Sequence, residues 1–394
     1  MLKILLVVPY FPPAEAFGGP VKVAYQTAKE LVKRKHEVVV YTSDAKDFSS
    51  RLRIDSDNLI DGIRVHYFRN LALTLVKKFK LFITPQLVSR AKEEVEKFDV
   101  IHLHEYRTFQ NIVVHHYAKK YGVPYVLQAH GSIPRIMAKQ RLKRIYDALF
   151  GYRLLRDASR VIALSRAEAE QYRGMGVPEE KIAIIPNGID RSEYVKLPPK
   201  EAFKKKFSIP ENMKVILYLG RIHKTKGIDL LIEAYACLIK KMGFKDAALV
   251  IAGPDDGYLD EAKSLAQSLG ISSSVLFTGF ISKGDKLAAL VDADVFITPS
   301  FYGFPMTFLE ACATGTPIVT TTLGDVLEWI DGNVGFVTQP GPRDLAGSIH
   351  SIISNDDLQK NFRKNCKTVV EEFGISKVIS KLEEIYEDVA HMAR

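Results

Sequence analysis

The sequence predicts an α/β protein of two domains, each built around a doubly wound parallel β-sheet. Its 394 residues exceed the roughly 150 residues that are typical of one domain. Short runs that are apolar throughout alternate with helical patterns, as expected for parallel strands covered on both faces. A polar segment at 190–206 interrupts this alternation, which then starts again.

The apolar runs are distributed evenly between the two halves of the chain. In the first half they are 2–8, 37–42, 100–104, 125–130, 161–165 and 182–186. Helical patterns at 21–35 and 91–97 lie between them, which gives the strand–helix–strand order of a parallel sheet. In the second half the runs are 215–220, 248–253, 275–280, 295–299, 318–322 and 335–338.

These patterns define the predicted domains, 1–195 and 196–375. The segment 190–206 contains Pro198, Pro199 and three consecutive lysines, a composition typical of a linker. From 376 to 394 apolar residues recur at helical spacing, which predicts an amphipathic final helix. We expect its apolar face to pack back towards the first domain.

Composition narrows the class of protein. The three cysteines are far apart, which argues against a disulfide scaffold or zinc site and favours a reducing cytoplasm. Prolines follow the run at 2–8, so it predicts a buried strand rather than a secretory signal. The sequence contains no run of about 18 apolar residues, so we expect no membrane-spanning helix.

Positive charge is concentrated in the first half of the chain. Residues 1–195 carry 32 Lys and Arg against 21 Asp and Glu, whereas residues 196–394 carry 23 against 25. The first half should therefore meet something anionic, such as a membrane surface or an anionic acceptor. We expect no nucleic-acid partner, because no helix-turn-helix, zinc-finger or RNA-binding aromatic motif is present.

Ligands of open α/β sheets bind at the carboxyl ends of strands, so the turns there are the first candidates for a site. The turn after 2–8 ends in Gly18 and Gly19, followed by Pro20 and a helix. Two glycines allow a ligand to approach the backbone closely, and the N–H groups at a helix start favour a phosphate. The pattern is not GxGxxG, which disfavours a nicotinamide cofactor. A flexible turn is the alternative interpretation.

The turn after 215–220 is basic. Arg221 and Lys226 leave the strand end together, five residues apart. Two fixed cations there would hold a diphosphate and stabilise it as a leaving group. A solvated basic loop is the alternative.

A third turn spans 299–310, between a strand and a helix. Pro305 suits a helix start, which leaves the N–H groups of Met306 and Thr307 available to an anion. Glu310 lies among apolar neighbours, so it needs a partner if it is buried. Ribose hydroxyls would serve, and a nearby Lys or Arg is the alternative partner.

Histidines and aspartates follow other predicted strands. His130 would donate a hydrogen bond to a substrate oxygen, although a lone histidine is more often structural, as for His102 and His104. Asp255 and Asp256 follow a strand end, where a turn and a helix N-cap explain them better than a metal does. We expect no metal site.

Together, these features resemble the GT-B superfamily of retaining glycosyltransferases called family 4. The resemblance covers essentially the whole chain, and its pieces occur in the family's order. They are residues 18–19, 99–104, 128–130, 163–165, 185–190, 220–227, 304–310, 315–317 and 332–335. It implies two Rossmann-like domains that face each other across a cleft.

The resemblance also implies roles for residues of the second domain. Arg221 and Lys226 would bind the donor diphosphate, Glu310 the ribose hydroxyls, and the backbone around Phe280 the base. Such enzymes generally need no catalytic metal or other cofactor, because the basic pair and a helix N-terminus provide the electrostatic stabilisation. The remaining donor contacts would come from Tyr302, Gly303, Phe304, Pro305, Met306 and Thr307.

In the first domain the resemblance assigns His130 to the donor sugar. It places Gly18 and Gly19 in the cleft near the phosphates and the acceptor. The family usually carries a second glutamate eight positions before Glu310, where it contacts donor-sugar hydroxyls. Tyr302 stands there instead, and the stretch is one residue short, so the donor sugar is left open.

The function so implied is hexosyl transfer from a UDP-, GDP- or ADP-linked sugar, with retention of anomeric configuration. The acceptor would be a hydroxyl of a lipid-linked glycan, polysaccharide or glycolipid, and an oxygen of the leaving diphosphate would take its proton. A nucleotide-sugar epimerase, a phosphorylase and a non-catalytic protein that binds anionic glycans are the alternatives. A dehydrogenase lacks support because the glycine fingerprint is missing.

Two basic segments of the first domain predict contact with anionic lipids at the inner face of the cell membrane. Residues 71–84 contain three lysines among apolar residues, and residues 135–156 contain seven basic residues against Asp147 alone. Basic amphipathic helices suit a membrane surface, and a core-packed helix with a solvated basic face is the alternative. The helix face is Ile136, Leu142, Ile145, Leu149 and Tyr152.

Overall fold

The computed structural model describes residues 1–53, 57–135 and 139–392, and the chain divides into two compact units. The first unit is Met1–Gly188 with Ile375–Arg394, and the second is Ile189–Gly374. The division therefore lies at 188/189 rather than at the predicted 195/196. Ile189 is buried, and its N–H donates to the carbonyl of Phe373, 2.9 Å away, which joins the start of the second unit to its end.

The first unit contains one eight-stranded sheet. Its strands are β1 (Lys3–Val7), β2 (Glu37–Ser43), β3 (Asp57–Ile60), β4 (Ile63–Phe68), β5 (Val100–His104), β6 (Tyr125–Gln128), β7 (Arg160–Ala163) and β8 (Ile182–Ile184). They are ordered β3-β4-β2-β1-β5-β6-β7-β8, and every neighbouring pair is parallel except β3 and β4. The apolar runs did not predict the β3–β4 hairpin.

Helices of the first unit follow most strands. They are α1 (Gly19–Lys33), α2 (Leu73–Phe79), α3 (Gln86–Glu94), α4 (Phe109–Tyr121), α5 (Gln140–Tyr146), α6 (Tyr152–Asp157) and α7 (Arg166–Gly174). Residues 147–151 form one π-helical turn, which joins α5 to α6. The helix predicted at 91–97 begins earlier, at Gln86, and its last turn is a 3₁₀ turn.

The second unit contains a six-stranded sheet that is parallel throughout. Its strands are β9 (Lys214–Leu219), β10 (Ala247–Ala252), β11 (Val275–Gly279), β12 (Val295–Phe301), β13 (Ile318–Gly324) and β14 (Gly335–Thr338), ordered β11-β10-β9-β12-β13-β14. Its helices are α8 (Ala202–Lys206), α9 (Ile228–Lys240), α10 (Leu259–Ser268), α11 (Lys283–Asp292), α12 (Met306–Thr314), α13 (Pro342–Ile353) and α14 (Asp356–Glu372). The predicted linker is thus partly helical, because Phe203 of α8 is fully buried in this unit.

Alternate side chains of β1 fill two separate cores. Leu5 and Val7 pack on one face of the sheet, and Ile4 and Leu6 pack on the other. This two-sided burial is why the strand is apolar throughout, and each fully buried aliphatic side chain contributes about 1.5–3 kcal/mol to folding.

The last helix, α15 (Ile375–Met392), belongs to the first unit. Its apolar face joins the same core as Ile4 and Leu6. Tyr386 is fully buried, and its hydroxyl lies 2.6 Å from Nδ1 of His102 on β5. Among the described residues no helix has both the length and the apolar composition needed to cross a bilayer.

The helical face predicted from the basic segment 135–156 is exposed. Leu142, Ile145 and Leu149 are each 55% exposed and Tyr152 is 45% exposed, so these four side chains do not pack in the core. Ile136, the fifth member of that face, lies outside the described residues.

Candidate functional site

The second sheet places two of the predicted turns side by side. The chain runs from β9 to β10 and β11 on one side and from β12 to β13 and β14 on the other, so the strand order reverses between β9 and β12. Ligands of open parallel sheets bind outside the carboxyl ends of the strands at such a switch point. The basic turn after β9 and the turn that opens α12 both begin there.

The basic turn is held against β12 by a glycine. Gly227 has φ +69°, and a Cβ atom on it would lie 2.9 Å from Cβ of Pro299. Before it, Nδ1 of His223 accepts the N–H of Thr225 at 3.2 Å, which starts the 3₁₀ turn that carries Lys226. The position of Lys226 is therefore fixed by its own loop and by the neighbouring strand.

Lys226 and Arg221 together leave positive charge at the switch point. Burial and the nearby charge of Arg221 lower the pKa of Lys226, and no described residue forms an ion pair or hydrogen bond with its amine. Arg221 is about half exposed and pairs with Asp256. A desolvated ammonium beside a second cation is stabilised by an anion placed between them.

The two aspartates after β10 have different contacts. Oδ1 of Asp255 accepts the N–H groups of Gly257, Tyr258 and Leu259 at 2.9–3.1 Å, as expected of a turn that leads into a helix. Asp256 pairs with Arg221, a contact that was not predicted because the two residues are far apart in the chain. Across the described residues, no group of three or more His, Cys, Asp or Glu side chains is arranged to hold a metal.

The turn that opens α12 presents backbone N–H groups. Pro305 is the N-cap residue, and no side chain in the described part of the structure caps the helix. The N–H of Gly303, with φ +76°, donates to Asp325 at 2.6 Å, which fixes the turn. The N-terminus of a helix carries partial positive charge, so Met306 and Thr307 offer an anion two N–H groups.

Two side chains of this turn that were predicted to contact the donor are buried in the second unit. Phe304 is buried, and its ring centroid lies 6.0 Å from that of Trp329 and 5.7 Å from that of Phe373. Met306 is also buried, so a ligand would meet the backbone of these residues rather than their side chains. Tyr302 is half-buried and precedes Gly303.

Glu310 is buried on α12 and already has a basic partner. Its carboxylate is 2% exposed, and Nζ of Lys286 on α11 lies 2.9 Å from both of its oxygens. A Lys or Arg was the alternative partner expected from the sequence, and this pair is present. A carboxylate has about four acceptor positions, so the pair does not prevent it from accepting ribose hydroxyls.

Phe280 follows β11, at the same edge of the sheet but two strands from β9. Its side chain is 73% exposed. The N–H of Gly253 donates to the carbonyl of Gly279 at 2.9 Å, which connects the ends of β10 and β11. The predicted contact with the nucleotide base would therefore lie at Phe280, a solvent-exposed residue directly after the end of β11.

The first sheet has its own switch point, between β1 and β5. Gly18 caps the N-terminus of α1 with φ +79°, and no atom lies within 4 Å of where a Cβ would be. Its backbone conformation, rather than crowding, therefore favours glycine. Gly19 is the first residue of α1.

His130 is one of three adjacent histidines. Its Nε2 lies 2.9 Å from Nδ1 of His104, whose ring centroid is 4.0 Å from that of His102. Burial lowers the pKa of His130 to about 4 and that of His102 to about 3, so both rings are neutral at pH 7. His104 is thus hydrogen-bonded to His130 and stacked on His102, and His130 has φ +54° at the strand end.

Two glutamates near His130 were not singled out from the sequence. Oε1 of Glu105 accepts the Tyr10 hydroxyl at 2.8 Å across the switch point, and burial raises the pKa of Glu105 to about 7. Glu168 accepts the N–H of Gly131 at 2.6 Å and holds the turn after His130. Its signal was present: Ser165 and Glu168 have capping-box spacing, and Ser165 Oγ accepts the Glu168 N–H.

The predicted site residues therefore fall into two sets. Those that surround the second switch point lie in the second unit, whereas Gly18, Gly19 and His130 lie in the first. Within the second unit, the set is Arg221, Lys226, Phe280, Tyr302, Gly303, Phe304, Pro305, Met306, Thr307 and Glu310.

Comparison with known proteins gives consistent matches along the chain. The model of the family described as Glycosyltransferase Family 4 matches residues 17–193, and that described as Glycosyl transferases group 1 matches residues 199–369. An uncharacterized glycosyltransferase of Methanocaldococcus jannaschii is 28% identical over 99% of both chains. The UDP-Gal:alpha-D-GlcNAc-diphosphoundecaprenol alpha-1,3-galactosyltransferase of Escherichia coli is 26% identical, over 85% of this chain and 86% of its own.

Solved structures show the same architecture. Anabaena HepE, crystallised with UDP and glucose, superimposes with a TM-score of 0.77 at 21% identity, over 98% of this chain and 100% of its own. At this identity the likeness concerns the fold, and it agrees with the two parallel sheets described above.

Proposed function

Because this chain belongs to the group 1, family 4 glycosyltransferases of the GT-B fold, we propose that it transfers a hexosyl group from a nucleotide-diphosphate sugar to a hydroxyl acceptor with retention. One observation carries the donor assignment: Lys226 is desolvated, has a lowered pKa and lacks a partner among the described residues, beside Arg221 at the switch point. A diphosphate has the charge and the size to meet both cations.

In this proposal the basic pair acts on the leaving group. Negative charge develops on the diphosphate as the bond from the anomeric carbon to the phosphate oxygen breaks. Arg221 and Lys226 stabilise that charge, together with the N–H groups at the start of α12. Arg221 then exchanges its contact with Asp256 for the phosphate. No catalytic metal or other cofactor is required, because these fixed positive groups take that part.

The acceptor attacks the same face of the sugar that the diphosphate leaves. The bond between the acceptor oxygen and the anomeric carbon forms as the old bond breaks, and an oxygen of the departing diphosphate takes the acceptor proton. In this proposal His130, which is neutral at pH 7, accepts the Nδ1–H of His104 at its Nε2 and donates its own Nδ1–H to the donor sugar. Gly18 and Gly19 give ligands access to the backbone at the start of α1.

The nucleoside is held by the second unit. Glu310 accepts the ribose hydroxyls while it remains paired with Lys286, and the backbone near Phe280 contacts the base. Anabaena HepE was crystallised with UDP, and the E. coli relative is named for UDP-Gal, which favours a uridine nucleotide here. The acceptor proposed is a lipid-linked glycan, polysaccharide or glycolipid, of which the E. coli relative's diphosphoundecaprenol substrate is an example.

The first experiment is binding of UDP, GDP and ADP, measured as an increase in thermal stability of the wild type and of Glu310→Gln. A ligand at 100 times its Kd adds about 2.7 kcal/mol to the free energy of unfolding. We expect one nucleotide to stabilise the wild type, with a smaller effect on Glu310→Gln, which keeps the shape of the side chain. If none of the three stabilises the protein, the donor site is wrongly assigned.

The second experiment tests the reaction. With the preferred nucleotide sugar and a hydroxyl acceptor, NMR should show a product that keeps the anomeric configuration of the donor. Inversion would refute the proposed single-face substitution. Conversion of the donor to an epimer without acceptor would identify an epimerase instead.

A further inference from the structure

The helical segment 140–157, which consists of α5, the π-helical turn and α6, has an outward face that combines apolar and cationic side chains. Six of the 17 exposed large apolar side chains in the described residues lie on this helix or beside its start, so they are not scattered over the surface. We call this surface the basic–apolar face. It consists of Phe79, Leu142, Ile145, Leu149, Phe150 and Tyr152, with Arg141, Arg144 and Arg153.

The helix is oriented by its opposite side. Asp147 is fully buried, Gly151 is buried, and a Cβ on Gly151 would collide with the Tyr106 hydroxyl. Leu154 and Leu155 lie in the core of the unit. Leu142, Ile145, Leu149 and Tyr152 are therefore held outward by the way the helix packs.

The one acidic residue at 139–156 does not reduce the charge of the exposed face. Asp147 is fully buried and binds Arg107 at 2.8 Å and Arg135 at 2.7 Å. In contrast, Arg141, Arg144 and Arg153 are exposed, and none of them forms an ion pair within the described structure. The face thus presents cations that no described carboxylate of the unit neutralises.

The start of the helix extends this face to the end of α2. Lys139 Nζ donates to the carbonyl of Lys78 at 2.7 Å and lies 4.7 Å from the centroid of the Phe79 ring, which is 49% exposed. The two basic segments noted in the sequence are therefore adjacent.

From this arrangement we propose that the basic–apolar face docks the first unit onto an anionic lipid bilayer. Aliphatic and aromatic side chains enter the boundary between headgroups and acyl chains, and arginines at the same level bind anionic headgroups. A second copy of this chain is disfavoured as the occupant, because like charges would meet. Nucleic acid would leave Leu142, Ile145 and Leu149 without a role.

The test is co-sedimentation of the full chain with vesicles of phosphatidylcholine, with and without phosphatidylglycerol, at low salt. We expect binding only to the vesicles that contain phosphatidylglycerol, and weaker binding as salt rises. The triple variant Arg141→Gln/Arg144→Gln/Arg153→Gln should bind about 100-fold more weakly, since each cation contributes about fivefold. Its matched control, Lys29→Gln/Lys92→Gln/Lys120→Gln, removes three exposed lysines from α1, α3 and α4 and should bind nearly as the wild type does.

A second pair of variants tests the apolar part. Leu142→Ser/Ile145→Ser/Leu149→Ser should weaken vesicle binding at least about tenfold without changing the charge. Leu59→Ser/Ile184→Ser removes exposed apolar side chains elsewhere in the same unit and should have little effect. All replaced residues are exposed, so the unfolding midpoints should stay close to that of the wild type.

Three results would overturn the proposal. One is equal loss of binding in both arginine and lysine variants, which would indicate a response to net charge alone. Another is binding to heparin, a soluble polyanion, without any binding to vesicles. The third is a dimer of the wild type that the serine triple variant converts to a monomer, which would make the face an interface between copies.

Discussion

Replacing Lys226 by Met separates the ligand role of this residue from any structural role. Methionine keeps the length and apolar character of the side chain and removes its charge. In the free protein this change removes a desolvated ammonium that has no partner in the described structure and that is repelled by Arg221. We therefore expect Lys226→Met to bind nucleotide more weakly while the ligand-free protein becomes no less stable.

Both effects can be given magnitudes. A hydrogen bond to a charged group contributes about 1.5–3 kcal/mol, so the variant should bind UDP about 10- to 150-fold more weakly. Removing this half-buried charge, which has no partner among the described residues, should stabilise the free protein by about 1 kcal/mol, which raises Tm by about 2–4 °C in a domain of this size. A residue that only supports the fold would change stability in the opposite direction.

Isothermal titration calorimetry gives the UDP affinity, and thermal unfolding without ligand gives the stability. Lys224→Met is the matched control, because Lys224 is exposed in the same 3₁₀ turn and should change neither quantity by much. Lys226→Arg keeps the charge and should retain most of the affinity. Unchanged UDP affinity in Lys226→Met would refute the phosphate site, and a clear loss of stability would refute the idea that the half-buried charge destabilises the free protein.

Three further predictions concern the surroundings of the site. Lys286→Met should destabilise the protein by about 2–4 kcal/mol because it removes the ammonium that pairs with the buried Glu310 carboxylate. Adding Glu310→Gln should restore most of this loss in chemical denaturation, and a double variant as unstable as the single one would contradict the prediction. The pKa of Glu105 is raised to about 7 in the folded state, so ionisation of this carboxyl opposes folding as pH rises above the unfolded value of 4.5. Between pH 5 and pH 8 the free energy of unfolding of Glu105→Gln should therefore rise by about 2 kcal/mol relative to that of the wild type. A difference between the two proteins that does not change with pH would be evidence against this prediction. Gly227→Ala should lower the free energy of unfolding by about 1–3 kcal/mol and weaken UDP binding, because its Cβ would press the basic turn away from β12. The control Gly257→Ala has φ +86° but open space around its Cβ, so it should show the effect of backbone strain alone. Equal UDP affinities of Gly227→Ala and the wild type would argue that this contact does not hold the turn.

The apolar runs predicted the sheets well. All twelve predicted strands are present, and their ends differ from the prediction by no more than two residues. Parallel strands that are buried on both faces are apolar throughout, so the run itself marks the strand. The class of fold and the turns that follow the strands could therefore be placed from the sequence.

The β3–β4 hairpin was missed because this signal does not apply to an edge strand. β3 alternates between exposed and half-buried residues, so it contains no apolar run. A different signal was present: Asp61 and Gly62 form a two-residue turn with φ values of +49° and +80°, a pattern typical of tight hairpins.

The charge partners of the candidate site could not be predicted from the sequence. Arg221 and Asp256 are joined only because β9 and β10 are neighbours in the sheet, and Lys286 reaches Glu310 only because α11 packs beside α12. Spacing along the chain carries no information on such pairs. Residue types that suit an anion could be recognised, but which cations remain unpaired depends on tertiary contacts.

The difference between a paired and an unpaired cation affects how the proposed donor site would bind a diphosphate. Arg221 has a carboxylate partner in the free protein and Lys226 has none within the described residues, so the two cations start from different states. An incoming diphosphate binds Lys226 without displacing a protein partner, whereas it must compete with Asp256 for Arg221. Asp256→Asn should therefore strengthen UDP binding, because it frees Arg221, and calorimetry on this variant measures the cost of that exchange. If Asp256→Asn binds UDP more weakly than the wild type, the aspartate instead positions Arg221 for the phosphate, and the competition inferred from the free structure is wrong.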